Sequence, residues 1–322
     1  MRVVLGVALV GLVACVGCQL GPNAGEYRPT PDKVIDAIKK LGGTFEVDKN
    51  KAVVTLRLAG VKATDADLVH LEGMRKLQKL NLWNTKVTDA GLKRLKGLTK
   101  LVYLSLTGTK VTDAGLVHLE GLRNLDRLSL AGTKVTDAGL VHLKGMANLK
   151  ELYLHTTGVT DAGLKHLEGL TKLYGLGLGQ TQVTDAGLVH LKGLTKLKRL
   201  NLYGTKVAGA GLVHLKGLTE LRRLYFSKTR VTDAGLKHLE GLTKLVGLEL
   251  ADTKVTDAGL VHLKGLTKLE FLHLGPTKVT DAGLVHLEGL TNLEKLFLYN
   301  TEVTDIGKKK LQQALPNCKI YR

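Results

Sequence analysis

The hexapeptide Val159-Thr160-Asp161-Ala162-Gly163-Leu164 decides the architecture of this 322-residue chain because it recurs at a constant spacing. Eleven copies follow one another at steps of 24 residues, without insertion or deletion. A fixed period of this length is typical of a solenoid, in which each unit buries its apolar face only by stacking on its neighbours. Intact copies begin at Val87, Val111, Val135, Val159, Val183, Val231, Val255 and Val279, and degenerate copies begin at Ala63, Val207 and Val303.

Each unit divides into a strand half and a helix half. In residues 77–82 leucines alternate with polar residues, so Leu80 and Leu82 are predicted to face inward. Thr88 is a suitable N-cap, and Asp89 suits the positive end of a helix. Strands stack about 4.8 Å apart and helices about 10 Å apart, so the stack must curve. The pattern predicts an α/β horseshoe with a parallel sheet on its concave face and short helices on its convex face.

The consensus Leu-x-x-Leu-x-Leu-x-x-Thr, followed by Val-Thr-Asp-Ala-Gly-Leu-x-His-Leu, resembles the leucine-rich repeat over about residues 53–322. The unit length and the Ala-Gly-Leu helix start are most similar to bacterial GALA-type repeats. They are more distantly similar to the repeats of ribonuclease inhibitor and of F-box/LRR adaptors. Threonine replaces the asparagine usual at the turn after the strand, as at Thr85 and Thr109, so another side chain must satisfy that turn. The resemblance implies protein recognition on the concave sheet.

The first 18 residues resemble a secretion signal. Arg2 precedes an apolar run over residues 3–13 that is too short to span a bilayer as a helix. Residues 12–15 resemble a bacterial lipobox and predict lipidation of Cys15, with Cys18 as the alternative acceptor. An ordinary cleaved signal is the competing interpretation. We therefore expect an exported, extracytoplasmic lipoprotein that reaches the membrane through its lipid.

The remaining segments follow from composition. Residues 19–31 are rich in glycine and proline, which predicts a tether. Residues 32–52 are predicted to form an N-terminal cap, with a helix over 32–41 followed by a first strand. Residues 53–302 are the leucine-rich repeats, and residues 303–322 are a C-terminal cap with a polar helix and a final strand.

The formal net charge of +18 favours acidic partners or an anionic surface. Nucleic acid is not expected, because the predicted signal directs the chain out of the cell. An anionic glycan or envelope polymer, held by the basic turns and the helix face, is the alternative to a protein partner. A passive envelope scaffold is the third possibility.

Eight of the 13 aromatic residues fall on outward strand positions. Exposed aromatic residues in a row favour an interaction surface, because such residues dominate binding hot spots. The competing interpretation is cross-strand stacking that supports the sheet. With two flanking polar residues, the predicted partner-binding set is Trp83, Tyr103, Tyr153, His155, Arg199, Tyr203, Tyr225, Phe271, Phe297 and Tyr299.

One strand carries three outward glycines: Gly175, Gly177 and Gly179. Glycine in a strand often marks the close approach of another backbone. The strip therefore predicts a notch that receives a protruding segment of a partner, with neutral drift in one repeat as the alternative. A second departure lies at residues 207–211, where the usual threonine and aspartate are missing and the repeat loses its N-cap.

Nine histidines share one frame position and ten aspartates share another. The histidines are predicted to be structural, and the aspartates are predicted to cap helices rather than bind calcium, with lysines three residues upstream as neutralising neighbours. A further position alternates between glutamate and lysine, as at Glu72 and Lys96, which predicts lateral pairing of repeats. No metal or cofactor is predicted.

Catalysis has no support in the sequence. The three serines lie outside any nucleophile elbow, and no zinc-protease or phosphate-binding motif is present. The sequence therefore predicts a binding protein rather than an enzyme.

Overall fold

The computed structural model describes residues 31–322. The predicted signal, with Cys15 and Cys18, and almost all of the predicted tether lie outside the described residues. Within residues 31–322, no helix has the length and apolar character needed to cross a membrane.

The described chain forms one sheet of 13 strands whose spatial order is their order in the sequence. The first two strands are antiparallel, and every later pair is parallel. The strands are β1 Thr44–Val47, β2 Val53–Arg57, β3 Lys79–Asn81, β4 Tyr103–Ser105, β5 Arg127–Ser129, β6 Glu151–Tyr153, β7 Gly175–Gly177, β8 Arg199–Asn201, β9 Arg223–Tyr225, β10 Gly247–Glu249, β11 Phe271–His273, β12 Lys295–Phe297 and β13 Lys319–Tyr321.

Short helices lie on the other side of the repeats. The α-helices are α1 Pro31–Lys40, α2 Asp89–Leu92, α3 Asp113–Leu116, α4 Asp137–Leu140, α5 Asp161–Leu164, α6 Asp233–Leu236, α7 Asp257–Leu260, α8 Asp281–Leu284 and α9 Asp305–Ala314. The 3₁₀ helices are Asp67–Leu71, Lys93–Leu95, Val117–Leu119, Val141–Leu143, Lys165–Leu167, Asp185–Leu191, Ala210–Leu215, Lys237–Leu239, Val261–Leu263 and Val285–Leu287.

The sheet keeps a constant register of one repeat. Leu80 of β3 pairs with Leu104 of β4, which in turn pairs with Leu128 of β5. These leucines are fully buried, and so are the leucines of the helix half, such as Leu92 and Leu95. The core is therefore a continuous column of leucine and valine that runs the length of the stack, as the repeat period predicts.

The threonine that replaces asparagine closes the turn within its own repeat. The Thr85 hydroxyl donates to the Leu82 carbonyl oxygen at 2.8 Å, and the same bond recurs at Thr109 with Leu106. Because these threonines are buried, the bond satisfies a hydroxyl that would otherwise be stranded, and it reinforces the bond that the threonine amide donates to the same carbonyl. This is the substitute side chain that the departure from the consensus required.

The aspartates lie in the first turn of their helices, as predicted, but the preceding threonine is the N-cap, and the aspartate carboxylates link neighbouring repeats. Asp137 at the start of α4 accepts hydrogen bonds from the backbone amide and the hydroxyl of Thr160, at 2.8 and 2.6 Å. Thr160 also caps α5, since its hydroxyl oxygen accepts from the Ala162 amide at 3.3 Å. We call this pairing the Asp–Thr link. It recurs at Asp65, Asp89, Asp113, Asp161, Asp233, Asp257 and Asp281.

The link explains the glycine of Ala-Gly-Leu. A Cβ atom on Gly163 would overlap the Asp137 carboxylate, and the corresponding glycines of the other linked repeats are equally crowded. Glycine is therefore required here for the close approach of two repeats rather than for backbone conformation.

The degenerate repeat at 207–211 breaks the series at one joint. Gly209 stands where the aspartate would be, with φ of 122°, and it gives its helix no side-chain cap. Thr232 of the next repeat has lost its carboxylate partner and makes no capping bond. The helix Ala210–Leu215 therefore lacks its N-cap, as predicted, and α6 of the next repeat lacks a side-chain cap as well.

The alternating charge position pairs differently from the prediction. Within residues 31–322, four of its five glutamates pair not with the lysines of neighbouring repeats but with a side chain two residues earlier in the following unit. Glu120 meets His142, Glu168 meets His190 and Glu240 meets His262, each at 2.6 Å, and Glu72 meets Arg94. The alternation therefore creates two classes of histidine. Some, such as His142, lie against a glutamate of the preceding repeat, and others, such as His166, lie near a lysine of the preceding repeat.

Candidate functional site

The outward side of the sheet, which we call the sheet face, carries every aromatic residue of the predicted binding set. The side chains beside the buried leucine of each strand point to this face. Trp83 is 51% exposed and Tyr299 is 42% exposed, whereas the other six aromatic residues are half-buried. The predicted residues thus share one face, although they do not form one continuous site.

Four rings at the C-terminal end of the sheet form the largest aromatic group, which we call the aromatic platform: Phe271, Phe297, Tyr299 and Tyr321. The Phe297 and Tyr321 rings stack with centroids 4.7 Å apart and planes 6° from parallel. Phe271 and Tyr299 lie 5.2 and 5.8 Å from Phe297. The sequence analysis missed Tyr321, because it lies in the C-terminal cap, where the repeat frame ends.

The middle of the sheet face holds a saturated polar cluster around Glu151. Glu151 is 5% exposed. Its carboxylate accepts hydrogen bonds from the hydroxyls of Tyr153 and Tyr174, the latter at 2.5 Å, and meets Arg127 and Arg199 at 3.2 and 3.1 Å. Four partners thus satisfy one buried charge.

These contacts keep Glu151 ionised and Tyr153 protonated at neutral pH. Burial acts to raise the pKa of Glu151, but the two tyrosine hydrogen bonds and the two arginine charges outweigh it, and the pKa lies below its usual range. Burial and the bond to Glu151 raise the pKa of Tyr153 to about 12. The predicted binding residues Tyr153 and Arg199 are therefore engaged within the protein.

The notch predicted at the three glycines is filled by His155. The Gly179 amide donates to His155 Nδ1 at 3.0 Å, and a Cβ on Gly177 would overlap the imidazole ring. Because Nδ1 accepts, the neutral ring carries its proton on Nε2. The His155 ring packs against the glycine strip, so the prediction of an open notch there was wrong. Burial lowers the pKa of His155, which favours the neutral ring.

An open space exists at a different glycine, Gly247 of β10. A Cβ built on Gly247 would meet a single neighbour within 4 Å, the Cγ atom of Arg223 at 3.6 Å. The space has a volume of about 250 Å³, and its walls include Tyr225, Phe271 and Glu249. We call it the Gly247 depression. Sequence reasoning overlooked it, because a single glycine gave a weaker pattern than three in one strand.

Glu249 beside the depression is the electrostatic opposite of Glu151. Within residues 31–322, no lysine, arginine or histidine nitrogen lies within 4 Å of its carboxylate. Burial raises the pKa of Glu249, because the carboxylate has lost water without gaining a cation. The sheet face thus contains one glutamate with two cationic partners and, four strands away, one whose carboxylate has none in the described chain and is helped only by the Ser227 hydroxyl.

The other predicted aromatic residues make separate local contacts. The guanidinium of Arg127 lies 5.9 Å from the ring centre of Tyr103, and the Lys228 ammonium lies 5.6 Å from that of Tyr203. Trp83 is solvent-exposed near the N-terminal end of the sheet. These rings are consistent with either sheet support or binding, as the sequence analysis left open.

The comparisons with known proteins agree with this architecture. The leucine-rich-repeat family, described as "Leucine Rich repeat", matches residues 97–119. An internalin, inlF, from Listeria monocytogenes superposes with a TM-score of 0.65 at 20% identity, over 90% of this chain and 94% of its own. A comparison with curated proteins finds no match. The prediction of a leucine-rich-repeat solenoid is therefore confirmed.

Two plant receptors share the fold over part of their length. The ectodomain of the Arabidopsis receptor kinase HAESA, solved with an IDA peptide hormone, gives a TM-score of 0.63 at 17% identity, over 85% of this chain and 50% of that one. The plant peptide hormone receptor RGFR1, solved with RGF2, gives 0.60 at 15% identity, over 86% and 51%. The chain therefore spans about half the length of these receptor structures.

Proposed function

We propose that this protein recognises a protein partner on the sheet face without catalysing a reaction. The aromatic platform is the observation that carries the proposal. Exposed aromatic rings gathered in one place supply contact area at a low cost in side-chain entropy, and such residues dominate binding hot spots. The platform offers two exposed rings, Tyr299 and Tyr321, packed with the half-buried rings of Phe271 and Phe297, beside a depression that leaves room for a protruding side chain.

The rigid frame supports binding of this kind. Each strand is held by its neighbours, by a buried leucine column and by the Asp–Thr links, so the face is ordered before a partner arrives. Binding to a preorganised surface loses less entropy than binding to one that must first be ordered. Two plant receptors with the same fold were solved as complexes, HAESA with an IDA peptide hormone and the peptide hormone receptor RGFR1 with RGF2.

The test is capture of a partner by paired variants. The full chain is immobilised and exposed to envelope and secreted material from the source cells. We expect a discrete protein to be retained by the native protein and lost by the triple variant Phe297→Ala, Tyr299→Ala and Tyr321→Ala.

The matched control is a triple variant on the helix side: Val141→Ala, Val213→Ala and Val261→Ala, three valines that are also exposed. This variant should retain the partner. Loss of the partner from both variants, or from neither, would contradict recognition on the sheet face.

We further propose that the chain is exported and anchored by lipid at Cys15. The proposal rests on the lipobox-like residues 12–15. Mass spectrometry of the purified protein, with Cys15→Ser and Cys18→Ser compared in membrane fractions, tests it. Retention of both variants in the membrane would exclude either cysteine as the sole lipidated residue.

Adhesion to an anionic polymer is the second candidate, favoured by the net charge of +18. Binding of this kind weakens steeply with salt, because the exposed charges are screened over about 10 Å at 0.1 M ionic strength. Material released from the native column at moderate salt, and held equally by the platform variant, would favour the polymer.

A further inference from the structure

We propose that the Gly247 depression and the aromatic platform together bind an extended segment of the partner that places a lysine or arginine side chain beside Glu249 and an apolar side chain on Phe297 and Tyr321. The inference rests on the proposed function and names the chemistry of the partner. It assigns the binding centre to β9–β13 rather than to the middle of the sheet.

Shape is the first argument. Gly247 lies between Arg223 of β9 and Phe271 of β11 in the sheet register, so the missing side chain leaves a gap flanked on both sides. The gap remains open, in contrast to the strip at Gly177, where His155 occupies the equivalent space. A volume of about 250 Å³ accommodates a long side chain but not a folded element.

Charge is the second argument. The depression is lined by three carboxylates, those of Glu249, Glu270 and Glu294, and by two cations, those of Arg223 and Lys295. None of the three carboxylates is within 4 Å of a cationic nitrogen in the described part of the chain. The depression is thus locally acidic on a protein whose net charge is +18.

The identity of the walls narrows the occupant further. Tyr225 and His273 are the cross-strand neighbours of Glu249, and Phe271 lines the depression beside Gly247. An ammonium or guanidinium group near the face of Tyr225 or Phe271 gains cation–π attraction. The charge of a bound cation would also offset the cost of the desolvation that Glu249 suffers without a cationic partner. A lysine or arginine side chain has both the length and the charge that these walls accept, whereas an acidic or a purely apolar side chain would leave Glu249 unpaired.

Continuity with the platform sets the spacing of the two anchors. Phe271 is shared, because it lines the depression and also packs against Phe297. Two to three strand spacings separate β10 from the rings of β12 and β13, which is about 10–14 Å. An extended segment rises about 3.3 Å per residue, so the basic and apolar side chains should lie about four residues apart on the same side of the segment.

The probe is a library of random 12-residue peptides displayed on phage and selected against the immobilised full chain. We expect the selected peptides to share a lysine or arginine about four residues from an aromatic or large aliphatic residue. Binding of a selected peptide should fall at least about tenfold in Glu249→Gln and in Gly247→Leu. It should be unchanged in Glu151→Gln, since that carboxylate is already saturated, and thermal unfolding checks that each variant is folded.

A double-mutant cycle isolates the predicted contact. Replacing the basic residue of the peptide with glutamine should cost about tenfold against the native protein and almost nothing against Glu249→Gln. Peptides that depend on Phe297 and Tyr321 but are indifferent to Glu249 would overturn this inference and leave the proposed function intact. Selected peptides that are indifferent to both, or no selected peptides, would contradict the two proposals together.

Discussion

The Asp137 carboxylate accepts two hydrogen bonds from Thr160, a residue 23 positions later, through its backbone amide and its hydroxyl. The bond joins the first residue of one helix to the cap of the next. Because both residues are fixed by the repeat, one geometry recurs along most of the solenoid and determines which substitutions the frame tolerates.

Gly163→Ala should destabilise the protein even though alanine is the better helix former. The added methyl group would overlap the Asp137 carboxylate, and overpacking of this kind costs about 1–3 kcal/mol. Gly169→Ala is the matched control, since nothing lies within 4 Å of its Cβ position, and it should be neutral or stabilising by up to about 1 kcal/mol. Chemical denaturation of both variants measures the difference. Equal stability of the two would show that the Asp–Thr link yields to the methyl group.

The double variant Ala208→Thr with Gly209→Asp should stabilise the protein if residue 209 takes the helix-start conformation of the other repeats in place of its φ of 122°, at which a side chain is strained and a Cβ would lie 3.0 Å from the Gly235 Cα atom. It restores the cap and the carboxylate that the joint between residues 185 and 232 lacks. A regained N-cap is worth about 1 kcal/mol, so the midpoint of thermal unfolding should rise. Ala208→Thr alone serves as the control: it restores the cap but leaves Thr232 without a carboxylate partner, so its midpoint should rise less than that of the double variant. No gain in the double variant would indicate that the Gly209–Gly235 approach holds this joint in its altered form.

Glu249→Gln and Glu151→Gln should shift stability in opposite directions at pH 7. Glu249 carries a charge without a cationic partner, so neutral glutamine removes a penalty and raises the unfolding midpoint. Glu151→Gln weakens contacts with two arginines and two tyrosines, and should cost about 2 kcal/mol, reduced by the exposure of the arginines. The sign of each midpoint shift is the measurement.

The pH dependence provides a control on the Glu249 prediction. A carboxyl whose pKa is raised by folding binds its proton more tightly in the folded state, so it destabilises the fold above its folded pKa. As the pH falls toward 4.5, native Glu249 becomes protonated, and the advantage of Glu249→Gln should shrink. An advantage that stays constant between pH 7 and pH 4.5 would assign the effect to packing rather than charge.

Acidification should destabilise the solenoid through the histidines that lie above lysines. Burial, and next the nearby Lys144 and Lys216, lower the pKa of His166 and His238 below 6.5. The unfolded chain therefore takes up protons first, and stability is lost as the pH falls through 6.5 toward the folded pKa values. The double variant His166→Gln and His238→Gln should lose less of its unfolding midpoint between pH 7.5 and pH 5.5 than the native protein does.

The paired histidines supply the control for this experiment. His142 and His190 lie against Glu120 and Glu168, so a protonated ring at either position meets a carboxylate. Replacing these two with glutamine should not reduce the loss of stability in acid. Equal behaviour of the two double variants would show that the neighbouring charge does not matter.

The repeat predicted the fold because each unit faces the same physical problem and solves it with the same residues. Leu80, Leu92 and Thr88 occupy the places that periodicity and capping assign to them. A single unit, taken alone, predicts only that Asp89 favours the positive end of its own helix, whereas its carboxylate also binds Thr112 of the next repeat. The constant 23-residue spacing from each aspartate to the next threonine was present in the sequence and would have revealed the link.

The candidate site was less predictable, because it depends on side-chain orientation. Nothing in the sequence states that the His155 ring lies over Gly177 while the space at Gly247 stays empty. Glu151 and Glu249 lie on opposite sides of the buried leucine in their strands, and only Glu151 meets arginines, Arg127 of the adjacent β5 and Arg199 of β8, two strands away. The contacts depend on which residues are neighbours on adjacent strands. Those neighbours are found by pairing each residue with the one 24 positions later in the sequence.

The Asp–Thr link gives this protein a simple route to change its size. After a duplication or loss of one 24-residue unit, each aspartate would still contact a threonine and each buried leucine would still pack on a leucine. The core would therefore remain intact without further substitutions. Such an event upstream of β9 would lengthen or shorten the sheet face by one strand and leave the Gly247 depression and the aromatic platform as a fixed terminal module. The reach of the surface and its chemistry can therefore evolve separately.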